Sequence, residues 1–235
     1  MRVQKYLSQK RILSRREAET FIKMGLIKVN GKIVSQMGMQ IDPDKDKVEV
    51  LQEKNGTKEK TNKITVAVNK PRGVVSSKNI AEGKTVFELF PQFKNLNAVG
   101  RLDKESEGLL LLSNDGVITS IVTGDSHLIE KEYQVEVREK LSQSKIKRMA
   151  DGVKIDGKMT LPAKTKILSS YSFSIILKEG RKHQIRRMCD ALNLTVASLK
   201  RLRIGNIFLR GIPVGAYKIL SDKEIEGLKS TSFRI

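Results

Sequence analysis

An aspartate in a glycine-bounded loop is the strongest candidate for chemistry in this sequence. Residues 100–108 read GRLDKESEG, so that Asp103 stands between two glycines and shortly before the apolar run Leu109–Leu112. Catalytic groups tend to lie on loops that a rigid scaffold holds, and a buried strand is such a scaffold. The alternative is an exposed aspartate that pairs with Arg101 or Lys104.

A basic segment further along the chain is the second candidate. Residues 180–188 read GRKHQIRRM, and apolar residues at helical spacing predict that residues 181–193 are mostly one helix. Cations at the positive end of a helix dipole favour an anion, either an RNA phosphate or a partner carboxylate. The alternative is a basic helix face in water, and His183 by itself more often has a structural role.

A tyrosine on a predicted strand is the third candidate. Tyr133, Val135 and Val137 alternate with polar residues, which indicates a half-buried strand. A tyrosine in such a position usually packs in the core with its hydroxyl satisfied. It could instead present its ring to a substrate base.

The distribution of positive charge indicates a polyanionic partner. The 235 residues include 45 Lys and Arg against 26 Asp and Glu, a net charge of +19. Residues 1–34 and residues 178–210 each carry nine Lys or Arg against two acidic residues. Such clustering favours contact with nucleic-acid phosphates over faces that only aid solubility. Only 5% of residues are aromatic and none is Trp, so a sheet that stacks on bases is not supported. Recognition of folded RNA by its backbone and shape is favoured instead, although the residues alone do not exclude DNA.

Several classes of protein are excluded by composition. No apolar run approaches the roughly 20 residues of a membrane span, and no secretory signal is visible. A single cysteine, Cys189, excludes an internal disulfide. With only His127 and His183 as further soft ligands, a structural zinc site is not expected. We therefore expect a reduced, cytoplasmic protein that needs no metal and no organic cofactor.

The first 51 residues are predicted to form a small domain of two helices and a hairpin. Ser14 and Glu17 have the spacing of a capping box, which begins a helix. The pair Asn30-Gly31 stands between two apolar runs and predicts a tight hairpin turn.

A linker and a larger domain follow. Residues 52–63 are almost entirely polar, which is typical of a solvated linker. In residues 64–235 predicted strands interleave with fewer helices, and this pattern favours an α+β domain on a mixed sheet. Alternation in residues 64–69 predicts that the first strand is half-buried.

The N-terminal region resembles the S4 domain, a small RNA-binding module. The similarity lies in residues 11–18, which read RILSRREA, and in residues 25–31, which read GLIKVNG. It covers about the first fifty residues, and it implies that this domain docks RNA.

The remaining motifs resemble the pseudouridine synthases that modify ribosomal RNA and carry an S4 domain in front. Among these, the F-type enzymes of the large subunit are the most similar. The resemblance spans nearly the whole chain, and the order and spacing of the motifs are more specific than any one motif. The motifs are KPRG at 70–73, GRLD at 100–103, KEY at 131–133, RKHQIRRM at 181–188 and RIG at 203–205.

The resemblance implies a role for each candidate residue. Asp103 would be the catalytic carboxylate, Tyr133 would pack on the target base, and Arg186 would pair with Asp103 and keep it ionised. RNA contacts would come from basic residues of both domains, namely Arg2, Lys5, Arg11, Arg15, Arg16, Lys28, Arg101, Lys131, Arg181, Lys182, Arg187 and Arg201.

The implied function is the isomerisation of one uridine in ribosomal RNA, in the first place that of the large subunit, to pseudouridine. The uridine must leave its stack to reach the pocket. We expect the protein to act as a monomer. Two alternatives stay open at this point: a non-catalytic S4-type RNA-binding or ribosome-assembly factor, and a synthase that acts on transfer RNA.

Overall fold

A computed structural model describes residues 1–10, 12–51, 63–124 and 128–231 of the chain. The first unit contains two helices followed by a three-stranded antiparallel sheet with the strand order β2-β1-β3. This is the predicted arrangement of two helices and a hairpin. Its elements are α1 (Val3–Gln9), α2 (Arg15–Lys23), β1 (Ile27–Val29), β2 (Lys32–Ile33) and β3 (Val48–Val50).

Local sequence signals begin and end these elements. Both hydrogen bonds of the capping box are present, from Glu17 N–H to Ser14 Oγ (3.2 Å) and from Ser14 N–H to Glu17 Oε2 (2.7 Å). Asn30 and Gly31 both have positive φ, as a two-residue hairpin turn requires. The first unit has its own small core, to which both helices and the sheet contribute.

The second unit is built on a nine-stranded mixed sheet. The main strand order is β10-β11-β7-β12-β6-β4-β14, while β13 pairs with β12 and β5 pairs with β6. Only the β12–β6 pair is parallel among the described strands of this sheet. The strands are β4 (Thr65–Lys70), β5 (Asn97–Val99), β6 (Glu107–Ser113), β7 (Lys131–Val137), β10 (Lys164–Ser169), β11 (Ser172–Leu177), β12 (Val196–Ile204), β13 (Ile207–Phe208) and β14 (Tyr217–Ile219), with a separate hairpin of β8 (Lys154–Ile155) and β9 (Lys158–Met159).

Helices and loops cover both faces of this sheet. The strand β4 is buried at all six positions, so the prediction of a half-buried strand is wrong. Val66 packs in one apolar cluster and Ala67 in another on the opposite face, because the strand lies inside the sheet. The helices are α3 (Val86–Leu89), α4 (Gly116–Thr123), α5 (Gln143–Asp151), α6 (Gln184–Asp190) and α7 (Asp222–Thr231), with short 3₁₀ helices at Ile80–Glu82 and Pro91–Phe93.

The two units touch where α2 and α4 begin. Lys63 Nζ lies 3.4 Å from Glu17 of the first unit and 3.4 Å from Asp115 of the second. Gly116, the first residue of α4, packs so closely against Ser14 that an added Cβ would overlap with the serine side chain. The predicted linker, residues 52–63, lies outside the described residues except for Lys63. No helix in the described ranges combines the length and apolar character that a membrane span requires.

Candidate active site

A cavity of about 370 Å³ opens at the ends of the central strands. It brings together residues that are far apart in sequence, because β6, β7 and β12 are neighbours in the sheet. Asp103, Tyr133, His183 and Arg201 all line it. The three segments singled out by the sequence therefore meet at one place.

Asp103 lies in the loop between β5 and β6, with 35% of its side chain exposed. The loop is held from both sides of this residue. The Ser76 hydroxyl accepts a hydrogen bond from Leu102 N–H (3.0 Å) and donates one to Leu102 C=O (2.8 Å). Ser106 N–H donates to the Asp103 carbonyl (3.0 Å). The carboxylate is thus accessible while its backbone is restrained.

The imidazole of His183 contacts this carboxylate. Its Nε2 lies 3.4 Å from Asp103 Oδ1, and half of the imidazole side chain is exposed. The backbone of His183 is left-handed (φ +52°), directly before α6. A lone histidine in the sequence suggested a structural role, and only the fold places it against Asp103.

Arg186 does not make the ion pair with Asp103 that the resemblance implied. Its Nη2 instead donates to the Glu105 carbonyl (3.0 Å) and lies 3.5 Å from Ser106 Oγ. The reason is its place on the first turn of α6, which runs beside the part of the loop that follows Asp103. Arg186 therefore supports the backbone of the loop rather than its carboxylate.

Arg201 is also placed differently from the sequence expectation. Only 3% of it is exposed, so it does not lie on a surface where RNA phosphates could contact it. Its Nε donates to the Leu109 carbonyl (2.7 Å), and its Nη1 lies 3.5 Å from Tyr133 Oη. Arg201 and Tyr133 are direct cross-strand partners on β12 and β7.

Lys70 is a buried cation that the sequence did not single out as a site residue. It is the last residue of β4 and has no exposed surface; its Nζ donates to the carbonyls of Val74 (2.6 Å) and Pro71 (3.0 Å). Burial lowers the pKa of Lys70 to about 8, and the negative charge of Asp103 opposes that lowering. A lysine directly after an apolar alternation was the signal in the sequence.

The other basic candidates of this unit divide into exposed and paired residues. Arg101 and Lys182 are exposed, Arg101 at the rim of the cavity. Lys131 lines the same cavity and donates to the Ile129 carbonyl (3.2 Å). Arg181 also lines it, but pairs with Glu179 (3.1 Å), and Arg187 pairs with Asp156.

The predicted helix over residues 181–193 is shorter in the structure. α6 begins at Gln184, because the left-handed His183 interrupts the backbone before it, and it ends at Asp190. Arg181 and Lys182 therefore lie in the preceding turn rather than on the helix.

In the first unit, three of the basic candidates meet around a second cavity. Arg2, Lys5 and Arg15 line this concave surface of about 540 Å³. Arg16 is exposed nearby on α2, and Lys28 is half-buried on β1. Arg11 lies outside the described residues. Three of the described N-terminal cations therefore share one concave surface, which Glu19 also lines.

Groups of acidic, histidine or cysteine side chains that could hold a metal ion are absent from the described ranges. The only cysteine, Cys189, is buried, and burial raises the pKa of its thiol to about 12.

An accessible carboxylate in a cavity lined by basic residues, on a mixed sheet behind a small basic domain, is the arrangement expected of an enzyme that acts on a polyanion. Comparison with protein families agrees. Residues 64–191 match the RNA pseudouridylate synthase family, and residues 1–46 match the S4 domain. The chain belongs to the RNA pseudouridylate synthase family, with an S4 domain at its N-terminus. It is therefore an RNA pseudouridine synthase, and the reading as a non-catalytic binding factor is not supported.

The similarity to known proteins extends over nearly the whole chain. The chain is 37% identical to the dual-specificity RNA pseudouridine synthase RluF of Escherichia coli K12, over 96% of this chain and 77% of that protein. It is 33% identical to ribosomal large subunit pseudouridine synthase B of Bacillus subtilis, over 97% and 96% of the two chains. A crystal structure of a pseudouridylate synthase superposes with a TM-score of 0.70 at 31% identity, covering 97% of this chain and 99% of the other.

Proposed function

We propose that this synthase isomerises a specific uridine of large-subunit ribosomal RNA, with Asp103 as the catalytic carboxylate. The observation that carries the proposal is the position of Asp103, which is exposed to a 370 Å³ cavity while its loop is held by Ser76. A nucleoside must enter such a cavity for its glycosidic bond to meet the carboxylate.

The reaction breaks one bond and makes another within the same nucleotide. The C1′–N1 bond between ribose and uracil breaks, the base turns, and C5 of uracil becomes bonded to C1′. The proton of C5 is lost and N1 gains a proton, so that the product is an isomer of the substrate. An ionised carboxylate can stabilise or trap the electron-deficient sugar, as carboxylates do in glycosidases.

Tyr133 and Arg186 have different roles in this proposal. Tyr133 lines the cavity and packs on the target base with its ring. Arg186 contacts the loop at Glu105 and Ser106, so it acts as a positioning residue that orients Asp103 through the backbone. His183 contacts the carboxylate itself.

Binding of the RNA supplies the free energy to extrude the target uridine. Extrusion costs a few kcal/mol of lost stacking and pairing. The cations Arg2, Lys5 and Arg15 around the N-terminal cavity would contact phosphates, and Arg101 at the rim of the catalytic cavity would do the same.

The choice of the large-subunit RNA rests on the names of the relatives. The Bacillus subtilis relative is named for the large ribosomal subunit and is covered almost completely. A relative from Haemophilus influenzae named for the small subunit is 32% identical over 97% of this chain. Transfer RNA is kept as the second candidate substrate, and the name of the Escherichia coli relative states a dual specificity. We further propose that the enzyme acts as a monomer in the cytoplasm, where ribosomal RNA is modified.

The test is pseudouridine mapping combined with a single substitution. Large-subunit ribosomal RNA from cells lacking this gene should lack one pseudouridine, and the purified protein should restore it. Asp103→Asn should abolish restoration while RNA affinity stays near that of the wild type. Glu105→Gln is the matched control, because this exposed carboxylate lies in the same loop and pairs with Arg72. Unchanged activity of Asp103→Asn would refute the catalytic assignment, and a missing pseudouridine in transfer RNA only would refute the substrate.

A further inference from the structure

A buried arginine that lines the catalytic cavity has no carboxylate partner among the described residues. Arg201 is 3% exposed, yet within the described ranges no carboxylate lies within 4 Å of its guanidinium. Buried charges in proteins are nearly always paired, because removing a charge from water is costly. Arg201 is therefore an exception that needs a reason.

The donors of this guanidinium are only partly used. Nε makes one good hydrogen bond, to the Leu109 carbonyl at 2.7 Å. Nη1 has two long contacts, each of 3.5 Å, to the Arg101 carbonyl and the Tyr133 hydroxyl. Nη2 is buried and has no hydrogen-bond partner among the described residues. Arg201, which lines the cavity, thus has a guanidinium with unused donor capacity.

A second buried cation lies close to the first. The positive charge of Arg201 contributes to lowering the pKa of Lys70, although burial is the larger cause. Two buried cations that repel each other are stabilised by an anion that binds between or beside them. Asp103, Glu107 and Glu105 supply part of that charge at Lys70, but Asp103 contacts His183, and no described carboxylate forms an ion pair with Arg201. The site is therefore prepared for an additional anion.

The reaction itself generates an anion in this cavity. When the C1′–N1 bond breaks, its electron pair leaves with uracil, and the negative charge spreads over N1 and the carbonyl oxygens O2 and O4. The enzyme must stabilise this detached base and retain it while it turns. Preorganised donors aimed at developing charge in a site closed to water are among the strongest catalytic devices.

We propose that Arg201 is a further catalytic residue, which binds a carbonyl oxygen of the target uracil through its terminal N–H groups and stabilises the detached base as an anion. This inference rests on the proposed function of the cavity around Asp103. The proximity of Nη1 to Tyr133 Oη places the guanidinium beside the ring that packs on the base. The sequence of bond changes stays the same: C1′–N1 breaks, C5–C1′ forms, the C5 proton leaves and N1 is protonated.

The experiment measures release of tritium from RNA containing [5-³H]uridine, since the C5 proton is lost once per turnover. Large-subunit ribosomal RNA and transfer RNA transcripts are each mixed with excess enzyme. Arg201→Met should lower the single-turnover rate at saturation by about 10²- to 10³-fold, the usual effect of removing such a donor. RNA affinity and the slope of log Kd against log salt concentration should match those of the wild type, because no phosphate contact is removed.

Lys200→Met is the matched control. It removes one cation from the adjacent position of β12, whose side chain points to the other face of the sheet. We expect its rate to stay within about threefold of the wild-type rate, because the side chain lies outside the catalytic cavity. If Arg201→Met does not fold, Arg201→Lys retains the charge without the planar fork, and its rate should fall at least about tenfold.

Two outcomes would overturn the inference. One is a folded Arg201→Met or Arg201→Lys protein whose rate stays close to that of Lys200→Met. The other is a loss confined to RNA affinity and salt slope, which would identify the missing anion as an RNA phosphate. Failure of the proposed substrate looks different, because the wild type itself would then release tritium from transfer RNA only. The Arg201 variants would in that case be compared on transfer RNA.

Discussion

The Ser76 hydroxyl makes hydrogen bonds to both backbone groups of Leu102, at 3.0 Å to its N–H and 2.8 Å to its carbonyl. Ser76 and Leu102 are both buried, so these bonds are shielded from water. Because Leu102 directly precedes Asp103, the serine restrains the backbone from which the Asp103 side chain projects. The restraint comes from a segment that is 26 residues away in sequence.

Ser76→Ala should impair catalysis through this restraint. The substitution leaves two buried backbone groups of Leu102 without partners, so the free energy of unfolding should fall by about 1–3 kcal/mol. Since small displacements of a catalytic group cost much of the rate, kcat should fall about tenfold or more. Thermal unfolding and tritium release measure the two effects. Ser77→Ala is the control, because the Ser77 hydroxyl bonds to exposed Glu82, and equal kcat values for the two variants would contradict the prediction.

Lys70 should make the stability of the protein depend on alkaline pH. Its pKa in the folded protein is about 8, below the ordinary 10.5, because burial disfavours the ammonium. Between these values the unfolded chain binds more protons than the folded protein, so stability rises with pH through this window. The full effect is about 3 kcal/mol.

A comparison with Lys70→Met isolates this effect from other titrating groups. The variant carries no buried ammonium, so its free energy of unfolding relative to the wild type should fall by about 3 kcal/mol from pH 7 to pH 10.5. Urea unfolding at several pH values gives the two curves. Parallel curves would show that Lys70 titrates in the folded protein as it does in the unfolded chain.

The N-terminal cavity should govern the salt dependence of RNA binding. Replacing Arg2, Lys5 and Arg15 together by Ala removes three cations from one concave surface. Each lost phosphate contact lowers the slope of log Kd against log salt by about 0.7–0.9, so the total change should be about 2–3. Filter binding at several salt concentrations measures the slope.

The control for this variant removes the same charge from scattered positions. Lys94, Lys140 and Lys166 are exposed and lie outside both cavities. Their triple replacement by Ala should change the slope much less. Equal slopes for the two triple variants would mean that the salt dependence of RNA binding follows the total charge and not the position of these residues.

Gly108 should be required where β6 meets β12 beside the site. Its φ is +101°, and an added Cβ would overlap with the backbone of Arg201. Gly211 offers a matched comparison, because its φ is +84° but open space surrounds it. Gly211→Ala should cost about 1–2 kcal/mol of stability from the backbone alone.

Gly108→Ala should cost about 1–3 kcal/mol more than Gly211→Ala, because the two strands must move apart. It should also lower kcat, since the displaced backbone is that of Arg201. Denaturant unfolding and the tritium assay test both statements. Similar stabilities of the two variants would mean that β6 and β12 can move apart without a cost in stability.

Much of the fold could be predicted because its signals are local. The Ser14–Glu17 capping box, the Asn30-Gly31 turn and the apolar strand around Leu109–Leu112 each depend on residues within one or two turns of chain. The errors occur where distant residues intervene. Residues 64–69 alternate as for a one-sided strand, yet a second layer of the protein covers the other face. The helix after Gly180 is shortened because His183 adopts a left-handed backbone.

For the site, sequence patterns were enough to identify the loop that carries Asp103, the strand that carries Tyr133 and the family to which both belong. Which basic side chains approach the carboxylate depends on tertiary contacts. The fold placed His183 on Asp103, directed Arg186 to the loop backbone and buried Arg201 beside Tyr133. An ion pair or a buried hydrogen bond joins residues that are distant in sequence, so the number of charges along the chain does not predict which residues pair.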